Sequence, residues 1–273
     1  MHPRPRARRP LTAVRFEPPR ALGVIVGGAF VAWALVFSAI AARLAFDAPV
    51  ELKTFVAWLA AGALFILALV FATWTYSLFT LRYTIERDTL EIRWGFRRVV
   101  IPIDTIQRMV PGRTLDSAHV AGLNWWGCHV GSADVKRIGY TLFYSTHGTP
   151  EELLYIVTTE ESYALTVLDQ AAFAEEIQSR AALGPVAVHA QRSGAVGLAA
   201  IPFWRDRVAI IAAATSALAF ALLAAFISWR YPDLPNVVQL NFPALGGVIR
   251  VGDKEEILRL LFLGGGILAV NLV

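Results

Sequence analysis

The sequence predicts an α+β membrane protein: three to four apolar helices joined to a small β-barrel or sandwich that a terminal helix caps. Three observations carry that class. Hydrophobic residues make up 56% of the 273 positions and the mean hydropathy is +0.53, above the roughly 45–50% apolar content of an ordinary soluble domain. The apolar residues collect in long uncharged blocks, as bilayer spans do, rather than spreading through a core. Between the second and third blocks, residues 82–207 change character and begin to alternate apolar with charged side chains, the period-two pattern of half-buried strands.

Residues 1–20 read as a basic cytoplasmic tail, with Arg4, Arg6, Arg8, Arg9, Arg15 and Arg20 against Glu17. The formal net charge of +4 therefore has a local origin and marks no nucleic-acid footprint on a folded face. Residues 21–81 read as a two-helix hairpin. Its first span, 21–42, is uncharged over 22 positions, about 33 Å of helix against a hydrocarbon core of about 30 Å. It is too long for the apolar part of a cleaved signal peptide, and a second span follows at once. That second span, 54–81, is uncharged over 28 positions and must tilt or emerge from the bilayer. Trp74 and Tyr76 near its end suit an interfacial aromatic belt. A third span covers 208–229.

The last apolar stretch, 257–273, is interrupted by Arg259. It is a full span with Arg259 snorkelling, a half-span, or the start of a longer segment. Lys and Arg near the span ends set the orientation: the tail and 82–207 face the cytoplasm of a cell whose inner membrane holds the chain, while 43–53 and 230–256 face outward.

Within 82–207, Leu90, Ile92 and Trp94 share one face of a strand and Glu91 and Arg93 the other. Arg87-Asp88 and Gly95 break the pattern at hairpin spacing, and Val99-Val100-Ile101 is a second strand ended by Pro102. The Gly-, Pro-, Asp- and Ser-rich stretch 110–139 reads as long connections. Strands resume at 140–144, 153–157 and 163–165. The period then changes: Phe173 and Ile177 fall one turn apart on a helix for which Asp169 is the expected N-cap. Residues 184–207 read as a linker.

The block LRYTIERDTLEIRWGFRRVVIPIDTIQRM, with Gly131, Gly139-Tyr140 and the closing VTTEESYALTVLDQAAFAEEI, resembles bacterial pleckstrin-homology-like (PH-like) domains over residues 82–183. The resemblance implies a partly open barrel plugged by a C-terminal helix. A second stretch, with Leu234-Pro235, Val238, Phe242, Gly246, Gly252 and Lys254, is similar to an uncharacterised bacterial membrane module of the LPxxVxxHFxxxG type, which also occurs in proteins that protect bacteria from their own toxic peptides. Asn241 stands where that module has His, which removes any metal or proton role attached to it.

Catalytic chemistry is not expected. His2, His119, His129, His147 and His189 lack metal-ligand spacing, and the single cysteine, Cys128, excludes an intrachain disulfide. No cofactor is expected. Arg93, Arg97 and Arg98 are candidate contacts for anionic headgroups, and they equally suit a solvated strand face. Trp125 and Trp126 either dip into the bilayer interface or plug the open end of the barrel. The expected function is a non-enzymatic membrane protein that presents its PH-like domain as a membrane-proximal docking or sensing module. The partners are membrane lipids or another membrane or cytoplasmic protein, and not nucleic acid. The alternative is a transporter-like or toxin-protection component in which the spans do the work.

Overall fold

The computed structural model of the chain describes residues 12–116, 118–187, 189–195, 206–239 and 251–271. Helix α1 spans Ala21–Phe46 and α2 spans Leu52–Phe79. Each runs beyond its uncharged block, because a charged residue close to a helix end can reach water. Arg43 pairs with Asp47 one turn on, and Lys53 pairs with Glu51 at 2.8 Å. The two helices meet along small side chains. Gly27 lies against Thr75, Ala34 and Ala68 are buried, and Ser38 Oγ donates to the Ala61 carbonyl at 2.8 Å. Close approach through small residues is how apolar helices associate when lipid offers no hydrophobic contrast.

Helix α4 (Arg207–Arg230) starts at Asp206, whose carboxylate accepts from the Val208 and Ala209 amides at 2.9 and 3.2 Å. The final helix α5 (Glu256–Asn271) runs unbroken through Arg259. Its 16 residues cover about 24 Å and include Ile257 and Leu258. Phe220 of α4 lies over Gly264 and Gly265 of α5, the place where the sequence thins its side chains. Three helices, Ala21–Phe46, Leu52–Phe79 and Arg207–Asp233, are long and apolar enough to cross a membrane. No more than 11% of their most apolar stretches is buried within the protein, so most of that apolar surface is uncovered by the described residues.

One compact unit takes in the described residues before 32 and from 69 to 195, and the other takes 32–68 and those from 206 onward. The first unit holds two sheets. One has the order β1-β2-β3-β4-β11 and is antiparallel throughout: β1 (Val14–Phe16), β2 (Arg82–Ile85), β3 (Thr89–Trp94), β4 (Arg97–Pro102) and β11 (Arg192–Ala195). The other has the order β5-β9-β10-β8-β7-β6: β5 (Ile106–Pro111), β6 (Ala121–Trp125), β7 (Cys128–Val135), β8 (Gly139–Ser145), β9 (Leu153–Thr158) and β10 (Ser162–Thr166), with β8 and β10 parallel. Among the described residues no ladder joins the two sheets, so the barrel is not closed.

Helix α3 (Gln170–Ala182) lies over the core between the sheets. Asp169 caps it, accepting from the Ala172 amide at 2.9 Å, and Phe173 and Ile177 are buried. In the second unit, β12 (Val237–Gln239) pairs with β13 (Val251–Asp253), Val238 opposite Gly252. Asn241, Phe242 and Gly246 lie outside the described residues.

The structure corrects the reading of 110–139 as connections, because β6 and β7 lie there. The alternation that marks a strand is broken in β7: Cys128 and Val130 enter the core between the sheets, while Ala133 and Val135 enter a second cluster on the opposite face. The glycines serve strand crossing rather than loops, Gly122 facing Gly131 across the ladder with its φ at 148°. Two further strands come from segments read as tail and linker. Phe16 of β1 packs edge-on against Phe173 at 5.0 Å, and the Arg180 guanidinium donates to the Thr12 carbonyl at 3.0 Å, holding that strand.

A buried polar contact ties the sheets together. Tyr83 of β2 is fully buried and donates its hydroxyl to the Tyr144 carbonyl of β8 at 2.6 Å. Burial pushes its phenol well above the usual range. Replacing Tyr83 with Phe keeps the ring and removes this bond. We expect a loss of about 1–2 kcal/mol, read by denaturant unfolding of the full chain in detergent. An unchanged midpoint would contradict this role.

Candidate membrane-facing surface

Two hairpin turns of the β domain rest on the ends of α1 and α2. The first joins β3 to β4. Gly95 adopts φ 55°, and a Cβ there would collide with Ser77 of α2. Its amide donates to Thr80 Oγ1 at 2.9 Å, and Phe96 lies tilted against Tyr76 with ring centroids 5.5 Å apart. The second joins β6 to β7. Gly127, at φ 82°, lies so close to Gly23 of α1 that a Cβ on either would strike the other's backbone. Trp125 reaches up the helix pair to Phe30 at 6.4 Å and Trp74 at 6.0 Å. Arg20 closes the junction: it donates to the Leu81 carbonyl at 3.2 Å, lies over the Phe79 ring at 5.1 Å and pairs with Glu17 at 3.1 Å.

This geometry locates each residue singled out in the sequence. Trp74 and Tyr76 stand on the last turns of α2 and each takes one hairpin. Trp125 packs both on the core between the sheets and on the helices, while Trp126 beside it is 76% exposed. The structure thus separates the pair: Trp125 is packed and Trp126 is open. Arg93 stands directly opposite Arg82 on one side and Arg98 on the other, a row of three arginines across β2, β3 and β4. Arg98 is partly neutralised by Glu91 at 2.6 Å.

Arg97 sits at the start of β4, exposed, beside the turn that touches α2. Burial, and then the charges of Arg15 and Arg93, lower the Arg82 guanidinium below its usual value. Like charges directly opposite on a sheet repel, and an anion placed on the row relieves that repulsion. The hairpin contacts and Arg82 were missed in the sequence. The signal for them was the pairing of a span-end glycine, Gly23, with a turn glycine, Gly127, which only the fold brings together.

The chemistry elsewhere is sparse. An open cleft of about 970 Å³ lies between β5 and the first turns of α3, lined in part by Met109, Pro111, Arg113, His147, Glu152 and Asp169. It contains none of the arginines or aromatic residues picked from the sequence as candidate contacts. Among the described residues, no group of three or more His, Cys, Asp and Glu side chains is placed to hold a metal. Cys128 is buried, which pushes its thiol up to about 12.

With the geometry in place, comparison with known proteins adds one match. Residues 81–181 match the family model described as Bacterial PH domain. No curated protein and no solved structure matches the chain. The β domain is thus PH-like, and it is flanked by helices long and apolar enough to span a membrane.

Two outcomes follow from these contacts. A Gly127→Val change forces a side chain into the Gly23 backbone at a positive φ, and should cost at least about 1–3 kcal/mol in thermal unfolding. Gly139→Ala, at φ 91° but with open space around it, meets only the backbone strain and should cost less; equal losses would remove the argument from contact. Burial, and then the His147 charge, hold His129 below its ordinary 6.5. A depressed imidazole favours the neutral form in the fold, so its contribution is full above 6.5 and is lost as the pH falls through the lowered value. Domain stability should therefore decline on acidification, and His129→Gln should flatten that decline.

Proposed function

We propose that this is a non-enzymatic, multi-spanning protein of the inner membrane whose PH-like domain is a membrane-proximal docking or sensing module for anionic lipid headgroups, or for a partner protein presenting similar charge. The single observation that carries the reading is the arginine row, Arg82, Arg93 and Arg98, which begins three residues after α2 ends at Phe79. At that distance from a helix end the row stands at headgroup level, where each Lys or Arg near an anionic surface contributes about 1 kcal/mol. Crowding of like charge along the row gives a ligand anion something to relieve.

The orientation we infer has the N-terminal tail and the β domain on the cytoplasmic side. Arg15, Arg20, Arg82 and Arg87 flank the domain-side ends of the first two helices in the sequence, against Arg43 and Lys53 at the other ends, the distribution that the positive-inside bias describes. The C-terminal resemblance to bacterial membrane modules is read as membrane residence alone.

The test is the lipid that stays with the protein. Full-length protein extracted in mild detergent should carry anionic lipid detectable by native mass spectrometry. Arg93→Gln with Arg98→Gln should lower the bound anionic fraction about fivefold per residue removed, the equivalent of about 1 kcal/mol each. If the double variant retains the same lipids as the parent, headgroup docking by this row is wrong.

A further inference from the structure

The apolar stretches of α1 and α2 have one charged residue each at their far ends, Arg43 on α1 and Lys53 on α2. A span of about 20 helical residues crosses the hydrocarbon core. Counting that length along each helix, from Arg43 backward and from Lys53 forward, puts the near hydrocarbon boundary beside Gly23 on α1 and Trp74 on α2. Those two levels agree to within about one helical turn, and they are the residues that the β6–β7 turn touches: Gly127 on Gly23, Trp125 on Trp74.

The helices themselves are longer than the core, 26 and 28 residues, or about 39 and 42 Å. Beyond those levels α1 continues only through Ala21 and Leu22 and α2 only to Phe79, and the β6–β7 turn meets the pair at the boundary itself, at Gly23 and Trp74. Around it the helix surface is apolar and open, Leu22 and Ile25 on α1 and Phe79 on α2 all more than half exposed. Trp126 projects from the turn with 76% of its surface free. A large aromatic ring with one polar N–H, held at the hydrocarbon boundary and left uncovered by protein, has the chemistry that the headgroup–acyl interface favours.

We propose that the β6–β7 turn is a membrane wedge: it sits within the interfacial layer of the bilayer, with Trp126 as the side chain inserted among the lipids. The occupant of this surface is lipid. The wedge fixes the depth of the domain independently of any headgroup bound at the arginine row, so it holds in a bilayer of zwitterionic lipid as well.

The test uses the full-length protein in nanodiscs of phosphatidylcholine alone, where the arginine row has no net anionic surface to bind. Trp126→Cys is labelled with an environment-sensitive fluorophore; the native Cys128, buried and with its thiol pushed up to about 12, does not compete for the label. Tyr140→Cys, on an exposed residue at the far end of the β7–β8 hairpin, is the reference. The label at 126 should emit to the blue of the label at 140. It should be quenched severalfold more by lipids carrying a shallow nitroxide, and severalfold less by aqueous iodide. Equal iodide quenching at the two sites, with no nitroxide effect at 126, would overturn the wedge and leave the arginine reading standing. Should the labelled protein misfold, native Trp126 against Trp126→Phe in the same nanodiscs reports the same contrast: the component of tryptophan emission lost with the substitution should be the lipid-quenched one, and loss of an iodide-quenched component would count against the wedge.

Discussion

The arrangement depends on two missing side chains. Gly23 near the start of α1 and Gly127 in the β6–β7 turn let a strand connection lie backbone to backbone on a helix. At this spot a methyl group on either residue has nowhere to go. Because the contact is made by main chain, it is stiff: neither partner has rotamers through which to adjust. The second support, Gly95 against Ser77 with an amide bond to Thr80, is of the same kind. Two rigid points at the ends of two hairpins leave the β domain little freedom to swing against the helix ends it touches. A domain joined to a span by a flexible linker would scan the space around it, whereas this one presents a fixed face.

That face is served by a sheet covered on both sides. β9 and β10 are buried along their whole lengths. One side looks into the core between the sheets and the other into the cluster of Phe143, Tyr155 and Val120. The arginines stand on the other sheet, whose inner side carries Tyr83, Ile85, Leu90 and Ile92, all fully buried. A ladder of three like charges is costly on any surface. The apolar burial behind it and the paired Glu91 offset that cost without removing the repulsion between Arg82 and Arg93.

Much of this was legible in the sequence. Uncharged length alone exposed the helices, since a span has no other way to satisfy its backbone in lipid. The β3–β4 hairpin was visible because Leu90, Ile92 and Trp94 alternate cleanly with Glu91 and Arg93, and the α3 cap because Asp169 precedes a run with helical period. The β6–β7 hairpin was hidden for a physical reason: its apolar residues change faces between Val130 and Ala133, so no single period describes the strand. β1 and β11 were hidden because three or four residues carry too little pattern, and their pairing is set by what they add to rather than by their own side chains. For the candidate surface, the individual residue types were apparent. Their alignment, Arg82 beside Arg93 beside Arg98, is a matter of register, which a list of positions does not contain.

The edges of the first sheet have an order in time. β1 is synthesised before α1 and finds no mate until β2 follows α2, after both helices have left the ribosome. β11 arrives last, after α3, and takes the opposite edge against β4. The β half of the unit therefore cannot be finished ahead of its helices. Its first and last strands bracket the helical hairpin, and completing the sheet amounts to a check that the hairpin has already been made.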